Sequence, residues 1–137
     1  MKFLAIILTV TTILTGSLVS SKKQKITATV VNVTSDSGKV GFALYNKETF
    51  MQKPLQSKNV KIVNGKSTVV FENVEPGDYA IICFHDKNDN DKMDFEANGM
   101  PIEDYGMSNN VMSFGPPTYS DAKFTVSEED VVLEIKF

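Results

Sequence analysis

From Gln24 onward, apolar side chains recur at every second position rather than every third or fourth. A period of two belongs to strands that bury one face, because successive side chains point to opposite sides of a sheet. Ile26, Ala28 and Val30 alternate with Thr27 and Thr29, and Val40, Phe42 and Leu44 share the next face. Val60 with Ile62, and Val69 with Phe71, continue the pattern. Tyr79 to Phe84 is apolar on both faces, which predicts a central strand. Leu133, Ile135 and Phe137 point inward in the last strand, with Glu134 and Lys136 outward. Adding Lys123 to Val126 gives about seven strands.

Turn signals separate these runs at Ser35-Asp36-Ser37-Gly38, Asn64-Gly65 and Glu75-Pro76-Gly77-Asp78. Asn64-Gly65 supplies two residues that tolerate positive φ, so a hairpin is expected to pair the Val60 strand with the Val69 strand. A short helical turn is expected over Lys47 to Gln52, with Phe50 and Met51 covering one end of the domain. No long helical period exists to build an α/β fold. The expected fold class is therefore all-β, a two-layer sandwich in which each sheet buries one face.

The first residues follow a different rule. Met1-Lys2-Phe3 opens an apolar and small-residue run, Leu4 to Val19, after one positive charge, which is the pattern of a cleaved signal peptide. Val19 and Ser21 suit the −3 and −1 positions of a peptidase site, giving a signal peptide at 1–21 and a β-sandwich domain at 22–137. Its Thr and Ser content and the missing stop-transfer pattern set this run apart from a membrane anchor. The expected location is outside the cytoplasm, periplasmic or extracellular, with no membrane span in the mature chain.

Composition narrows the chemistry. Hydrophobic residues make up 42% of the 137 positions, enough for one core without disulfides. The single cysteine, Cys83, lies within the Tyr79 to Phe84 run and reads as a buried thiol behaving like a small hydrophobe. Formal charge is −3, and all 14 basic residues are lysine. With no arginine for bidentate grips on phosphate and no basic stripe, nucleic acid is excluded as an expected partner.

One segment stands apart chemically. Asp86, Asn88, Asn90 and Asp94 fall at positions 1, 3, 5 and 9 of an Asp/Asn-rich loop, and Lys92 at position 7 would offer its backbone carbonyl. Ca²⁺ takes six to eight hard oxygen ligands, and alternate residues of a curled loop can supply them. Two positions depart from the helix-loop-helix calcium pattern: Asp91 replaces the glycine at position 6, and Ala97 replaces the glutamate at position 12. Glu96 or Glu103 is the candidate source of the missing carboxylate. Seven acids against two lysines between Asp86 and Asp104 repel one another unless a cation or open solvent relieves them. The competing reading is a solvated turn whose Asp and Asn side chains satisfy their own backbone. His85, the sole histidine, reads as a strand-end packing residue.

The segment Val70 to Ile81, a strand, a Pro-Gly turn and a tyrosine-led strand, resembles transthyretin-like and carboxypeptidase-regulatory-like domains. That resemblance implies an immunoglobulin-like (prealbumin-like) sandwich of about seven strands with one long Asp/Asn-rich loop. A broader likeness follows from ordered pieces: the Tyr79-Ala80 strand, the His85-Asp86 junction, the Asp/Asn loop and Gly99-x-Pro101-x-Glu103. It continues through Tyr105-Gly106-x-Ser108-Asn109-Asn110, Pro116-Pro117 and Asp121-Ala122-x-Phe124. Together they resemble the bacterial family of domain of unknown function number 2141, whose members are short exported proteins without an assigned function. The family usually carries glycine at the position of Asp91.

The expected function is thus an exported binding or structural module with a loop-ordering Ca²⁺ site, and not an enzyme. A carboxylate-dependent hydrolase using Asp86 with Asp94 or Glu103 is the alternative; it would need two carboxyls facing across a groove. A third reading is an adhesive module whose Tyr105 to Phe114 segment meets a glycan, a peptide or an envelope protein. Burial of Tyr105, Met107 and Phe114 would instead make them staples of the core.

Overall fold

A computed structural model describes residues 16–137. Most of the expected signal segment lies outside the described residues. The strands are β1 (Gln24–Val30), β2 (Lys39–Tyr45), β3 (Gln56–Lys61), β4 (Ser67–Val74), β5 (Gly77–Asp86), β6 (Tyr105–Met107), β7 (Phe124–Val126) and β8 (Val131–Ile135). A four-residue helix, α1 (Tyr119–Ala122), precedes β7, and a 3-10 turn spans Ser108–Asn110. No helix among the described residues is long and apolar enough to cross a membrane.

The fold is an all-β sandwich. One sheet has the order β4-β1-β8, with β1 antiparallel to β4 and parallel to β8. The other has the order β3-β2-β5-β6, with β7 also pairing β5. The alternation explains the layers: Ile26, Ala28 and Val30 of β1 face Val40, Phe42 and Leu44 of β2 in one buried cluster with Val69, Phe71, Ile81 and Ile135. As expected, β5 is central. One edge pairs β2 along Ala80 to Asp86, while the other takes β7 over Gly77 to Tyr79 and β6 over Ile82 to Phe84. Both its edges are consequently paired. Ala80 and Ile82 turn outward into a second apolar cluster with Met107, Ala122, Phe50 and Tyr119.

Two expectations are corrected. Asn64 and Gly65 do form a two-residue turn with φ of 51° and 72°. Val63 and Lys66 exchange both backbone hydrogen bonds across it, but the ladder ends there. β3 then joins β2 and β4 joins β1, so the turn crosses between sheets instead of starting a two-stranded ribbon. β4 matches β1 through Val30–Ser67 to Gln24–Val74, and β3 matches β2 through Lys39–Lys61 to Leu44–Gln56. Lys58 Nζ and Gln56 Nε2 of β3 donate to the Val70 and Glu72 carbonyls of β4, closing that side of the sandwich.

Lys47 to Gln52 forms turns, not helix. Asn46 and Thr49 bond reciprocally, the amide N–H of each to the side chain of the other at 3.1 and 3.0 Å, and this closes one tight turn that Met51 (φ 57°) then breaks. Phe50 still covers that end, but Met51 is exposed. The eight strands among the described residues agree with the expected seven or so. The extra one, β6, has a glycine at its centre and only three residues, too few to show alternation.

Candidate functional site: the acidic loop and the polar staple that follows it

The acidic loop is the excursion of a hairpin. β5 ends at Asp86, and the chain returns to it when the His85 amide donates to the Asp104 carbonyl at 2.8 Å, just before β6. Between these points a small inner hairpin forms, with Phe95 bridged to Pro101 and Gly99 (φ 84°) at its tip.

Each sequence-predicted site residue has a definite place. Asp86 is fully buried, and its two carboxylate oxygens accept the Asn90 and Asp91 amides at 3.1 and 2.9 Å. Asp91 adopts φ 64°, so the aspartate takes the left-handed conformation expected of position 6. Asn88 and Asn90 both turn their side-chain amides to Asp94, at 2.7 and 2.9 Å, while Asn90 Oδ1 accepts the Lys92 amide. Those amide donors, Asn90 foremost and then Asn88, hold the Asp94 carboxyl below the usual carboxylate range.

Glu103, the proposed stand-in for position 12, is buried and uses both oxygens on backbone, Lys87 N–H at 3.1 Å and Asp94 N–H at 3.2 Å. It sews the start of the loop to its end. Among the described residues no group of three or more His, Cys, Asp or Glu side chains converges as a metal cluster would.

Sequence reasoning missed Lys39. It stands opposite Asp86 in the β2–β5 register, and its ammonium lies 3.9 Å from Asp86, 2.7 Å from Asp89 and closer still to Asp91. Hydrogen bonds to Asp89 and Asp91 raise the Lys39 pKa, keeping it charged. Asn59 Nδ2 also donates to Asp91. Part of the repulsion that pointed to a cation is therefore relieved by a lysine of the chain itself. The signal was a strand register, which a local scan of the loop does not reach.

Gly38 explains how tightly the loop root is held. At φ 74° its α-carbon lies so close to β5 that a Cβ would sit 2.0 Å from the Asp86 carbonyl. The same turn is fastened by His85, whose Nε2 donates to the Ser37 carbonyl at 2.7 Å. His85 is fully buried and its Nδ1 has no partner among the described residues. Cys83 is likewise sealed, and burial pushes its thiol pKa well up.

Immediately after the loop, polar side chains do a different job. The Ser108 hydroxyl, fully buried, accepts the Ile81 amide of β5 at 3.0 Å and donates to the Ala122 carbonyl of α1. Asn109 Nδ2 donates to the Asp121 and Lys123 carbonyls, each at 2.8 Å. Asn110 bonds β8 on both sides, donating to the Glu134 carbonyl and accepting the Lys136 amide. Three consecutive side chains thus clamp β5, α1 and β8. Asn109 and Asn110 reach these partners because both take positive φ, 70° and 53°.

The three expected staples divide. Met107 is buried, Tyr105 is half-buried and Phe114 is exposed. Only the part of the segment that forms β6 acts as a staple.

Residues 28–134 match the family described as "Uncharacterized protein conserved in bacteria (DUF2141)". The chain belongs to this family. The match runs from β1 into β8, so the acidic loop and the Ser108–Asn110 clamp both lie inside the family domain. No curated protein and no solved structure matches the sequence.

Proposed function

We propose that this protein is an exported β-sandwich module, binding or structural in role, whose acidic loop takes up Ca²⁺ as an ordering ion. The observation that carries the proposal is the convergence of Asn88, Asn90 and Asp94, whose polar atoms lie 2.7 to 2.9 Å apart. Oxygen ligands sharing one Ca²⁺ at 2.3 to 2.6 Å are spaced at about 3 Å. Rotating the two amides by half a turn would present oxygen where nitrogen now faces Asp94. Asp86 at the loop root and the Lys92 carbonyl are the remaining candidate donors. Glu103 serves as a backbone bracket, which leaves the ion a weak set of ligands.

A binding role is favoured over hydrolysis because the carboxylates are committed. Asp86 and Glu103 hold backbone amides, Asp94 holds two side-chain amides, and Asp89 and Asp91 hold Lys39. A general acid needs a carboxyl free to exchange its proton with substrate.

The test is a thermal or urea melt with Ca²⁺ and with chelator. A site with a dissociation constant of about 0.1 to 1 mM should add about 1.4 to 2.7 kcal/mol at about 10 mM Ca²⁺. Asp94→Asn should remove that gain. Identical melts in calcium and chelator would refute the ion.

A further inference from the structure

β5 begins at Gly77, at the end of the sheet opposite the acidic loop, and there the surface opens into a cleft of about 860 Å³. Tyr79 and Tyr119 form part of its lining. Both rings are held from behind. The Tyr79 hydroxyl donates to the Glu75 carbonyl at 2.8 Å. Tyr119 meets Phe50 edge-on at 5.6 Å, and Phe50 meets Tyr45 in the same way at 5.7 Å. Tyr119 also rides on α1, whose end is tied down by Ser108 and Asn109. Rings fixed before a ligand arrives lose little freedom on binding.

The charged groups around these rings are mixed. Glu48, Glu75 and Asp78 line the cleft together with Lys47 and Lys123. Asp78 is already engaged, accepting the Thr125 hydroxyl at 2.7 Å and lying 4.0 Å from the Lys123 ammonium. A cationic ligand would meet two ammonium groups, and an anionic one three carboxylates. A neutral ligand bearing many hydroxyls uses donors and acceptors alike, and its apolar C–H faces can lie on amphipathic tyrosine rings. The volume falls within the range of small-molecule sites and exceeds what a single sugar ring fills.

We propose that the cleft between Tyr79 and Tyr119 binds a neutral oligosaccharide. The site is independent of calcium, because the whole length of β5 separates the two ends.

The experiment titrates the isotope-labelled protein with cellohexaose, chitohexaose, maltohexaose and xylohexaose, and separately with spermidine as a cationic probe, following amide and ring resonances. At least one hexaose should cause saturable shifts centred on Tyr79 and Tyr119, unchanged by chelator. Tyr119→Ala and Tyr79→Ala should each weaken that binding about tenfold or more, as expected for an aromatic anchor. Tyr119→Phe should bind within about threefold of the unaltered protein, since the ring is kept. The shift map of the unaltered protein decides the matter even where an alanine variant fails to fold. Spermidine binding in the cleft without any hexaose, hexaose shifts elsewhere on the surface, or no shift with any hexaose would each overturn the proposal.

Discussion

The acidic loop and the Ser108–Asn110 clamp are neighbours in one connection, are built from the same short polar residue types, and do opposite things. In the loop, side chains bond close by in sequence: Asn88 and Asn90 to Asp94, Asp86 to the next turn of chain, and Glu103 back to Asp94. Lys39, Asn59 and Thr34 reach it from afar. In the clamp every side chain bonds a distant element, β5, α1 or β8. Bonds between distant elements exist only in the whole fold, so they contribute to global stability. Local bonds order a segment that can open by itself.

The sharpest way to break this comparison is Ser108→Ala. It strands the Ile81 amide and the Ala122 carbonyl in a dry interior. Leaving a buried polar group unpaired costs about 1 to 3 kcal/mol, so a loss of about 2 to 3 kcal/mol in urea unfolding is expected, with the slope unchanged. A loss under about half a kcal/mol would mean that the clamp does not hold the sandwich.

A smaller effect is expected from Glu103→Gln. The amide keeps one acceptor oxygen of two, so either the Lys87 or the Asp94 amide loses its partner. Stability should fall by about 1 kcal/mol. Hydrogen exchange should accelerate at Lys87 and Asp94 while β1 and β2 stay protected. Equal acceleration in the core strands would show that the loop is not a separate unit.

The smallest effect concerns acid. The Asp94 carboxyl is held below its ordinary value by Asn90 and Asn88, so the folded loop favours the ionised form. Its contribution is complete above the ordinary carboxylate pKa and is lost as pH falls through the lower, folded value. Carboxyl resonances should therefore show Asp94 titrating below the ordinary carboxylate range, and Asn90→Ala should move it upward more than Asn88→Ala. The reverse ranking of the two variants would contradict the geometry.

Much of the core was legible from alternation alone. Ile26, Ala28, Val30, Val40, Phe42 and Leu44 all face inward, and the burial of Cys83 followed from its place in a doubly apolar strand. Alternation is a local property, set by the pleat. What joins what is not local. The Asn64-Gly65 turn had the expected backbone, yet its strands part into different sheets, β3 to β2 and β4 to β1. β6 was invisible since three residues around a glycine carry no period.

At the candidate site the division is the same. The spacing of Asp86, Asn88, Asn90 and Asp94, and the left-handed backbone of Asp91, could be read along the chain because a curled loop brings near residues together. Lys39 could not, since only the β2–β5 register sets its ammonium among the acids. The sequence by itself determined an all-β domain, its inward faces and a loop rich in oxygen donors. Tertiary structure alone decided that a lysine relieves part of that loop's charge, that Ser108–Asn110 locks three elements, and that Tyr79 and Tyr119 line one cleft at the far end. Those three outcomes depend on which strands pair, and pairing is settled by the burial and hydrogen bonding of the whole sandwich.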